Sequence, residues 1–237
     1  MTAFEALLEV QDRDTTGDQL RHRRAHLPER SELAALDARL AALDARLVEA
    51  RARRDQVAGR QARLEEDVRL VEARIAEIEK RLYSGVVSAP RDLQAMSAES
   101  DSLKARLSML EDQALAAMEE AESSAAEVGA LEGERSEVEA QAAQVRGFLA
   151  AAEEAIDTDI AVEESKRASA AQSVPADLLR TYEGLRAKLG GVGAARLVGS
   201  SCSGCHLALP AAEVDRIKRE PPGALVFCDQ CGRILVR

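Results

Sequence analysis

The sequence predicts a mainly α protein, in which a long antiparallel coiled-coil hairpin is followed by a small C-terminal domain that contains four cysteines. Of the 237 residues, 31% are charged, 2% are aromatic and none is tryptophan. That composition is typical of long helices rather than of an ordinary globular domain. Two long heptad repeats are separated by one short segment with glycine and proline. The four cysteines occur as two CxxC pairs near the end of the chain.

The N-terminal part of the chain is predicted to start with a helix over residues 2–27. Pro28 lacks the N–H group that an interior helical residue donates, so we expect a kink or a new helix start there. A heptad repeat then runs from Leu33 to Leu82, and 13 of its 15 seam positions are apolar. At 1.5 Å per residue, this helix would be about 75 Å long.

A break in the periodicity at residues 83–90 predicts the tip of the hairpin. Gly85 suits a left-handed residue that ends the first helix, and Pro90 suits the first turn of the next one. The repeat resumes at Leu93 and continues to Ile156, with 16 of 19 seam positions apolar. Because so short a loop joins the two seams, the helices should pair in antiparallel orientation.

The position of the tip sets the predicted register of the hairpin. Residues that face each other across the two helices should have numbers that sum to about 175. Pro28 then lies opposite Gly147, so both helices are weakened at one level and a joint is expected there. Residues 2–27 would pack beside residues 148–171, and residues 1–174 would form the hairpin domain.

The remaining residues, 175–237, are predicted to form a short helix and a zinc-ribbon domain. Two thiolates of one CxxC turn can bind the same metal, and four thiolates complete a tetrahedral zinc site. The predicted ligands are Cys202, Cys205, Cys228 and Cys231. Since four protein ligands leave no position open for water or substrate, the single zinc ion is expected to be structural. Gly204 and Gly232 lie where such turns need a positive φ or a close backbone approach.

Short elements are predicted around this site. Strands are expected at residues 194–198, 225–227 and 234–236, and a helix at residues 211–218. A domain of this size buries little apolar surface, so zinc binding should supply much of its folding free energy.

Other uses of the cysteines receive less support from the sequence. A thioredoxin-like redox pair needs one CxxC that opens a helix in a βαβ unit, and no such pattern occurs here. Residues 202–206 match the CxxCH string of haem attachment. Haem attachment and disulfide formation both require export, whereas residues 1–20 contain no apolar signal segment. His206 is expected to be a surface neighbour of the metal rather than a ligand.

Charge and missing motifs limit the functional class. The net charge is −10. Nine Lys/Arg against five Asp/Glu give residues 178–237 a charge of +4, which leaves −14 for residues 1–177. No apolar run approaches the ~18 residues of a membrane span, so a soluble cytoplasmic protein is expected. Catalysis is not expected, because the sequence has no Gly-rich phosphate loop and no Ser/His/Asp arrangement. Charged flanks and a seam satisfied within one chain favour a monomer over a homodimer.

Two surfaces are candidates for binding. A protein partner is predicted at the hairpin tip, because a bare turn needs no exposed apolar side chains. The tip candidates are Tyr83, Val86, Val87 and Arg91. The alternative is RNA or DNA binding by a basic face of the zinc domain, where Phe227 is the available aromatic for base stacking. This face would be formed by Arg196, His206, Arg216, Lys218, Arg219, Arg233 and Arg237.

Several of these motifs together resemble a known bacterial family. They include the tip string Leu82-Tyr83-Ser84-Gly85, the following Pro90-Arg91-Asp92-Leu93, and Cys205-His206-Leu207-Ala208-Leu209-Pro210 in the zinc domain. The chain is similar to the bacterial four-cysteine zinc-ribbon, coiled-coil hairpin proteins, long labelled a domain of unknown function. This resemblance implies a non-enzymatic adaptor with a structural zinc. Some relatives are linked to the alternative sigma factor sigma-54, to flagellar regulation and to RNA binding.

Overall fold

The computed structural model describes residues 2–221 and 223–237. Met1 of the predicted hairpin domain and Pro222 of the predicted zinc domain therefore lie outside the described residues. The elements, in chain order, are α1 (Ala3–Ala25), α2 (Pro28–Tyr83), α3 (Pro90–Ala171), α4 (Ala176–Lys188), β1 (Ala194–Val198), β2 (Ser201–Cys202), α5 (Ala211–Arg219) and β3 (Ile234–Val236). This confirms the predicted fold class, a long helical hairpin followed by a small domain that contains the four cysteines.

The contacts divide the chain into two compact units. The first contains the residues up to Ser31 together with Val145–Arg237, and the second is Glu32–Gln144. The predicted boundary between a hairpin domain of residues 1–174 and a zinc domain of residues 175–237 stays a prediction. None of the helices in the described part of the chain is both long enough and apolar enough to cross a membrane.

In the second unit, α2 and α3 pack along the predicted seam. The buried apolar cluster between these two helices consists of Leu43, Leu47, Ala50, Val128, Leu131 and Val138. Ion pairs flank this seam, with most of the arginines on α2 and most of the carboxylates on α3. Examples are Arg39–Glu134 at 2.6 Å, Arg53–Glu127 at 2.7 Å and Arg74–Glu99 at 3.0 Å. The residue numbers of the described ion pairs between α2 and α3 sum to between 173 and 183, so the register lies at or a few residues above the predicted sum of 175. Each exposed pair adds little stability, but together the pairs disfavour other registers.

In the first unit, α1 packs beside the C-terminal part of α3, as predicted. A capping box closes the start of α1, where the Thr2 hydroxyl accepts from the N–H of Glu5. Arg13 pairs with Glu163 at 3.2 Å, and Arg24 pairs with Asp157 at 2.7 Å. The chain leaves α1 at His26 and restarts as α2 at Pro28, because proline fits the first turn of a helix but not its interior.

The core of the first unit joins segments that are far apart in the sequence. Leu7 and Val10 of α1 lie in one buried cluster with Tyr182 of α4, Ile234 of β3 and Ala194 of β1. The N-terminal helix thus shares its core with the strands of the cysteine-containing segment, a contact that the heptad pattern did not indicate. Burial of this apolar surface stabilises the cluster at roughly 25 cal/mol per Å².

The small sheet has the strand order β2-β1-β3. β1 pairs with β2 in antiparallel orientation and with β3 in parallel orientation. Strands at residues 194–198 and 234–236 and a helix over residues 211–219 agree with the sequence predictions. The strand predicted at residues 225–227 is wrong, because only Phe227 forms an isolated bridge, to Ile234.

Candidate metal centre

The four cysteines meet at one point of the first unit. Their Sγ atoms all lie within 4.8 Å of one another, and they are the only such His/Cys/Asp/Glu group among the described residues. Cys202 Sγ lies 4.0 Å from Cys231 Sγ, and Cys205 Sγ lies 4.0 Å from Cys228 Sγ. A tetrahedral zinc ion with Zn–S bonds of about 2.3 Å places its sulfurs about 3.8 Å apart. The spacing therefore fits one four-thiolate zinc ion, whose chemical contribution would be to hold the two CxxC turns together.

The two CxxC turns have the same backbone geometry. In the first, the N–H of His206 donates to the carbonyl of Cys202 at 2.8 Å; in the second, the N–H of Gly232 donates to that of Cys228 at 2.7 Å. The φ angles of His206 and Gly232 are 61° and 70°. His206 is thus a backbone position of the first turn. In the second CxxC string a glycine follows the last cysteine, and His206 occupies the equivalent position in the first string. A comparison of the two strings would have identified His206 as a backbone position, which the sequence prediction missed.

Gly204 and Gly232 serve the two needs predicted for them. Gly232 has the positive φ, whereas Gly204 permits a close approach. A Cβ atom at Gly204 would lie 2.6 Å from Cδ of Arg233 and 2.9 Å from Cβ of Ala195. The N–H of Gly204 also donates to Sγ of Cys202 at 3.4 Å, which stabilises the thiolate form of a ligand.

We expect the left-handed position after each CxxC pair to control zinc affinity. Gly232→Ala places a Cβ at positive φ, which costs about 1–3 kcal/mol and lowers zinc affinity roughly 5- to 150-fold. His206→Gly should change the affinity in the opposite direction, because it relieves the same strain. Competition with a chelator measures the zinc affinity of both variants.

The matched control for this prediction is Gly184→Ala in α4. Gly184 has no positive φ, and a Cβ atom added to it would meet nothing within 4 Å, so alanine should leave zinc affinity unchanged. Equal zinc affinity in Gly232→Ala and the unsubstituted protein would contradict the role assigned to this backbone position.

The electrostatics of the cysteine cluster disfavour four thiolates without a cation. Burial raises the pKa of Cys228 to about 12, and burial also raises the pKa of Cys202. Burial acts in the same direction on Cys231, but hydrogen bonds from Arg233 and from neighbouring thiols outweigh it and lower the pKa to about 7. Binding of zinc must therefore release protons, and the affinity should fall as the pH falls.

The basic residues predicted in this region have different environments. Arg233 donates from Nε to the carbonyl of Val192 at 3.0 Å and from Nη2 to that of Leu189 at 3.2 Å. Arg216 pairs with Glu213, with Glu220 at 3.8 Å and with Asp229 at 3.9 Å. Arg233 therefore stabilises the fold, whereas the exposed ion pairs of Arg216 contribute little stability.

The other basic candidates, like Arg216, lie at the surface. Arg196, His206, Lys218 and Arg219 are exposed. Arg237 closes the end of α5 by donating to the carbonyls of Ile217 and Glu220 at 2.7 and 2.8 Å. Binding of nucleic acid by this set stays a prediction.

The hairpin tip in the second unit is closed by two small residues. Gly85 has a φ of 73°, as predicted for its position after the first helix. The hydroxyl of Ser84 donates to the carbonyl of Arg81 at 2.8 Å and accepts from the N–H of Val86 at 3.3 Å. Of the four predicted tip residues, Tyr83, Val86 and Arg91 are exposed and Val87 is half-buried.

Comparison with known proteins agrees with this architecture. The model of the CT398-like coiled coil hairpin domain matches residues 10–190, and that of the C4-type zinc ribbon domain matches residues 201–235. The uncharacterized protein Rv2229c of Mycobacterium tuberculosis is 30% identical over 98% of this chain and 94% of its own length. These matches cover the hairpin and all four cysteines, and none of their descriptions mentions a reaction.

Two solved structures share the fold. A structure from Mycobacterium smegmatis has a TM-score of 0.87 at 24% identity, and the match covers 99% of this chain and 97% of that one. CT398 from Chlamydia trachomatis has a TM-score of 0.69 at 20% identity, with coverage of 98% and 96%. The chain thus belongs to the CT398-like coiled-coil hairpin family and carries a C4-type zinc ribbon with one structural zinc ion.

Proposed function

We propose that this protein is a non-enzymatic adaptor that binds a protein partner through the tip of its coiled-coil hairpin. The exposure of the tip side chains is the observation that carries this proposal. Tyr83 is 82% exposed and Val86 is 84% exposed, the two highest values among the exposed large hydrophobic side chains that the structure describes. Two such side chains near one end of a hairpin expose apolar surface that a partner can cover.

The turn itself does not require these side chains. Ser84 and Gly85 supply the hydrogen bonds and the positive φ that close it. Tyrosine at an interface contributes a large apolar area at little cost in conformational entropy, and a neighbouring arginine such as Arg91 can bind a carboxylate of the partner. A docking role explains why these exposed side chains are present, since formation of the turn does not require them.

The zinc site supports a structural rather than a catalytic role for the metal. A zinc ion with four thiolate ligands has no open coordination position for a water or a substrate. The buried thiols Cys202 and Cys228 lie in the core of the ribbon with Leu209, Val214 and Ile217. A metal at this place would hold a small core together.

Nucleic-acid binding by the ribbon receives less support. Arg216 is held by three carboxylates, and Arg233 by two backbone carbonyls. Base stacking would depend on Phe227, which is 39% exposed. The cations that remain are few for an electrostatic contact with a phosphate backbone.

The adaptor proposal predicts that tip substitutions abolish partner capture. In affinity purification from native lysate with nuclease, we expect Tyr83→Ser/Val86→Ser to retain less than about a tenth of the partner retained by the unsubstituted protein, because several kcal/mol of interface energy is lost. The matched control is Val48→Ser on α2, since Val48 is also an exposed valine of the second unit, at 68%.

Different outcomes separate the two functions. Equal loss in the Val48→Ser control would contradict a specific role of the tip. Recovery of a partner only when nuclease is omitted would assign the function to nucleic acid and to the ribbon.

A further inference from the structure

A groove of about 1130 Å³ opens within the first unit. It lies between the start of α1, the start of α4 and the segment that joins α5 to β3. Its main apolar lining residues are Phe4, Pro175, Leu178, Pro221, Leu225 and Val236. Leu225 is 41% exposed, although it is a large aliphatic residue beside a buried core. A groove of this size has room for several side chains of a bound peptide.

The charges around this groove are unbalanced. Lys218 and Arg219 line it, and neither has an ion-pair partner among the residues that the structure describes. Arg237, a third lining residue, donates to the backbone carbonyls of Ile217, Glu220 and Pro221. An apolar groove with two unpaired cations is complementary to a segment that carries both apolar and acidic side chains.

The acidic lining residues Asp177 and Glu220 offset part of this positive charge, so the lining carries three cations against two carboxylates. Asp177 pairs at 3.4 Å with Arg180, and Glu220 pairs at 3.8 Å with Arg216. Neither of these arginines lines the groove. Both carboxylates thus have cationic partners outside the groove, whereas Lys218 and Arg219 form no ion pair among the described residues, and the lining keeps an excess of one positive charge.

We propose that this groove binds a short peptide segment of a partner protein, with apolar side chains in the groove and carboxylates facing Lys218 and Arg219. This interface is separate from the tip, and it does not depend on the function proposed for the tip.

The test is selection of random dodecapeptides by phage display against the full-length, zinc-loaded protein. We expect the selected peptides to combine apolar residues with Asp or Glu. In fluorescence anisotropy, a labelled selected peptide should bind the Lys218→Glu/Arg219→Glu variant at least tenfold more weakly. Leu225→Ser should also weaken binding, and zinc content with circular dichroism checks that each variant is folded.

The matched control is the double charge reversal Arg23→Glu/Lys188→Glu. Both residues are exposed in the same unit, do not line the groove, and give the same change in net charge. The peptide should bind this variant as tightly as the unsubstituted protein. Equal weakening by both double reversals would overturn the proposal, because it would reflect net charge alone.

Three further results would also overturn the proposal. The first is the absence of enriched peptides, or an enriched pool that is neutral or basic. The second is single-stranded RNA that binds these cations more tightly than any selected peptide and displaces it. The third is concentration-dependent dimerisation in sedimentation that Leu225→Ser abolishes, which would assign the groove to a second copy. The tip variant Tyr83→Ser/Val86→Ser should bind the peptide normally, so failure of one proposal leaves the other intact.

Discussion

Removal of zinc is expected to unfold the cysteine-containing segment while the hairpin remains helical. Zinc bound by four thiolates contributes roughly 10–16 kcal/mol at neutral pH, more than a core as small as that of Leu209, Val214 and Ile217 can replace. We expect a chelator, or Cys228→Ser, to abolish the amide protection of α5 and β3. Hydrogen exchange detected by mass spectrometry measures this for each segment.

The hairpin provides the internal control for this experiment. The seam cluster around Leu43, Leu47 and Val128 lies in the second unit and does not include the cysteines. Its exchange should be unchanged after chelation, and the helical circular dichroism should persist. Retention of full protection in α5 and β3 without metal would show that the apolar core alone folds the ribbon.

Substitution of Gln11 is expected to destabilise the first unit by at least about 2 kcal/mol. Gln11 is 5% exposed, and its Oε1 accepts from the N–H groups of Gly193 at 2.7 Å and Ala194 at 3.3 Å. Its Nε2 donates to the carbonyl of Gly191 at 3.0 Å. Gln11→Leu leaves these buried backbone groups unpaired, and each unpaired group costs about 1–3 kcal/mol.

The measurement is urea unfolding followed by tyrosine fluorescence in a Tyr83→Phe background. Tyr182 is then the only tyrosine; it is fully buried and donates to Asp14 at 2.7 Å, so it reports on this unit. Burial and that hydrogen bond also raise the pKa of Tyr182, which keeps the phenol neutral. Gln19→Leu, an exposed position on the same helix, is the control. A stability change as small as that of the control would show that Gln11 does not link α1 to the sheet.

The sequence by itself determined the features that depend on local spacing. The seam period placed α2 and α3, the breaks at Pro28 and residues 83–90 placed their ends, and the CxxC spacing identified the four ligands. Each of these signals acts within a few residues along the chain, since helical periodicity, missing N–H groups and turn geometry are local properties.

Tertiary structure decided the contacts between distant segments. The heptad pattern cannot show that Leu7 packs against Ile234, or that Gln11 pairs with the backbone near Gly193, because those contacts depend on how the chain returns after about 180 residues. The same holds for Arg233 and Arg216, which resemble a basic face in the sequence but donate to carbonyls and carboxylates in the fold. The role of a basic side chain depends on the hydrogen-bond acceptors that surround it, and only the folded chain brings those acceptors together.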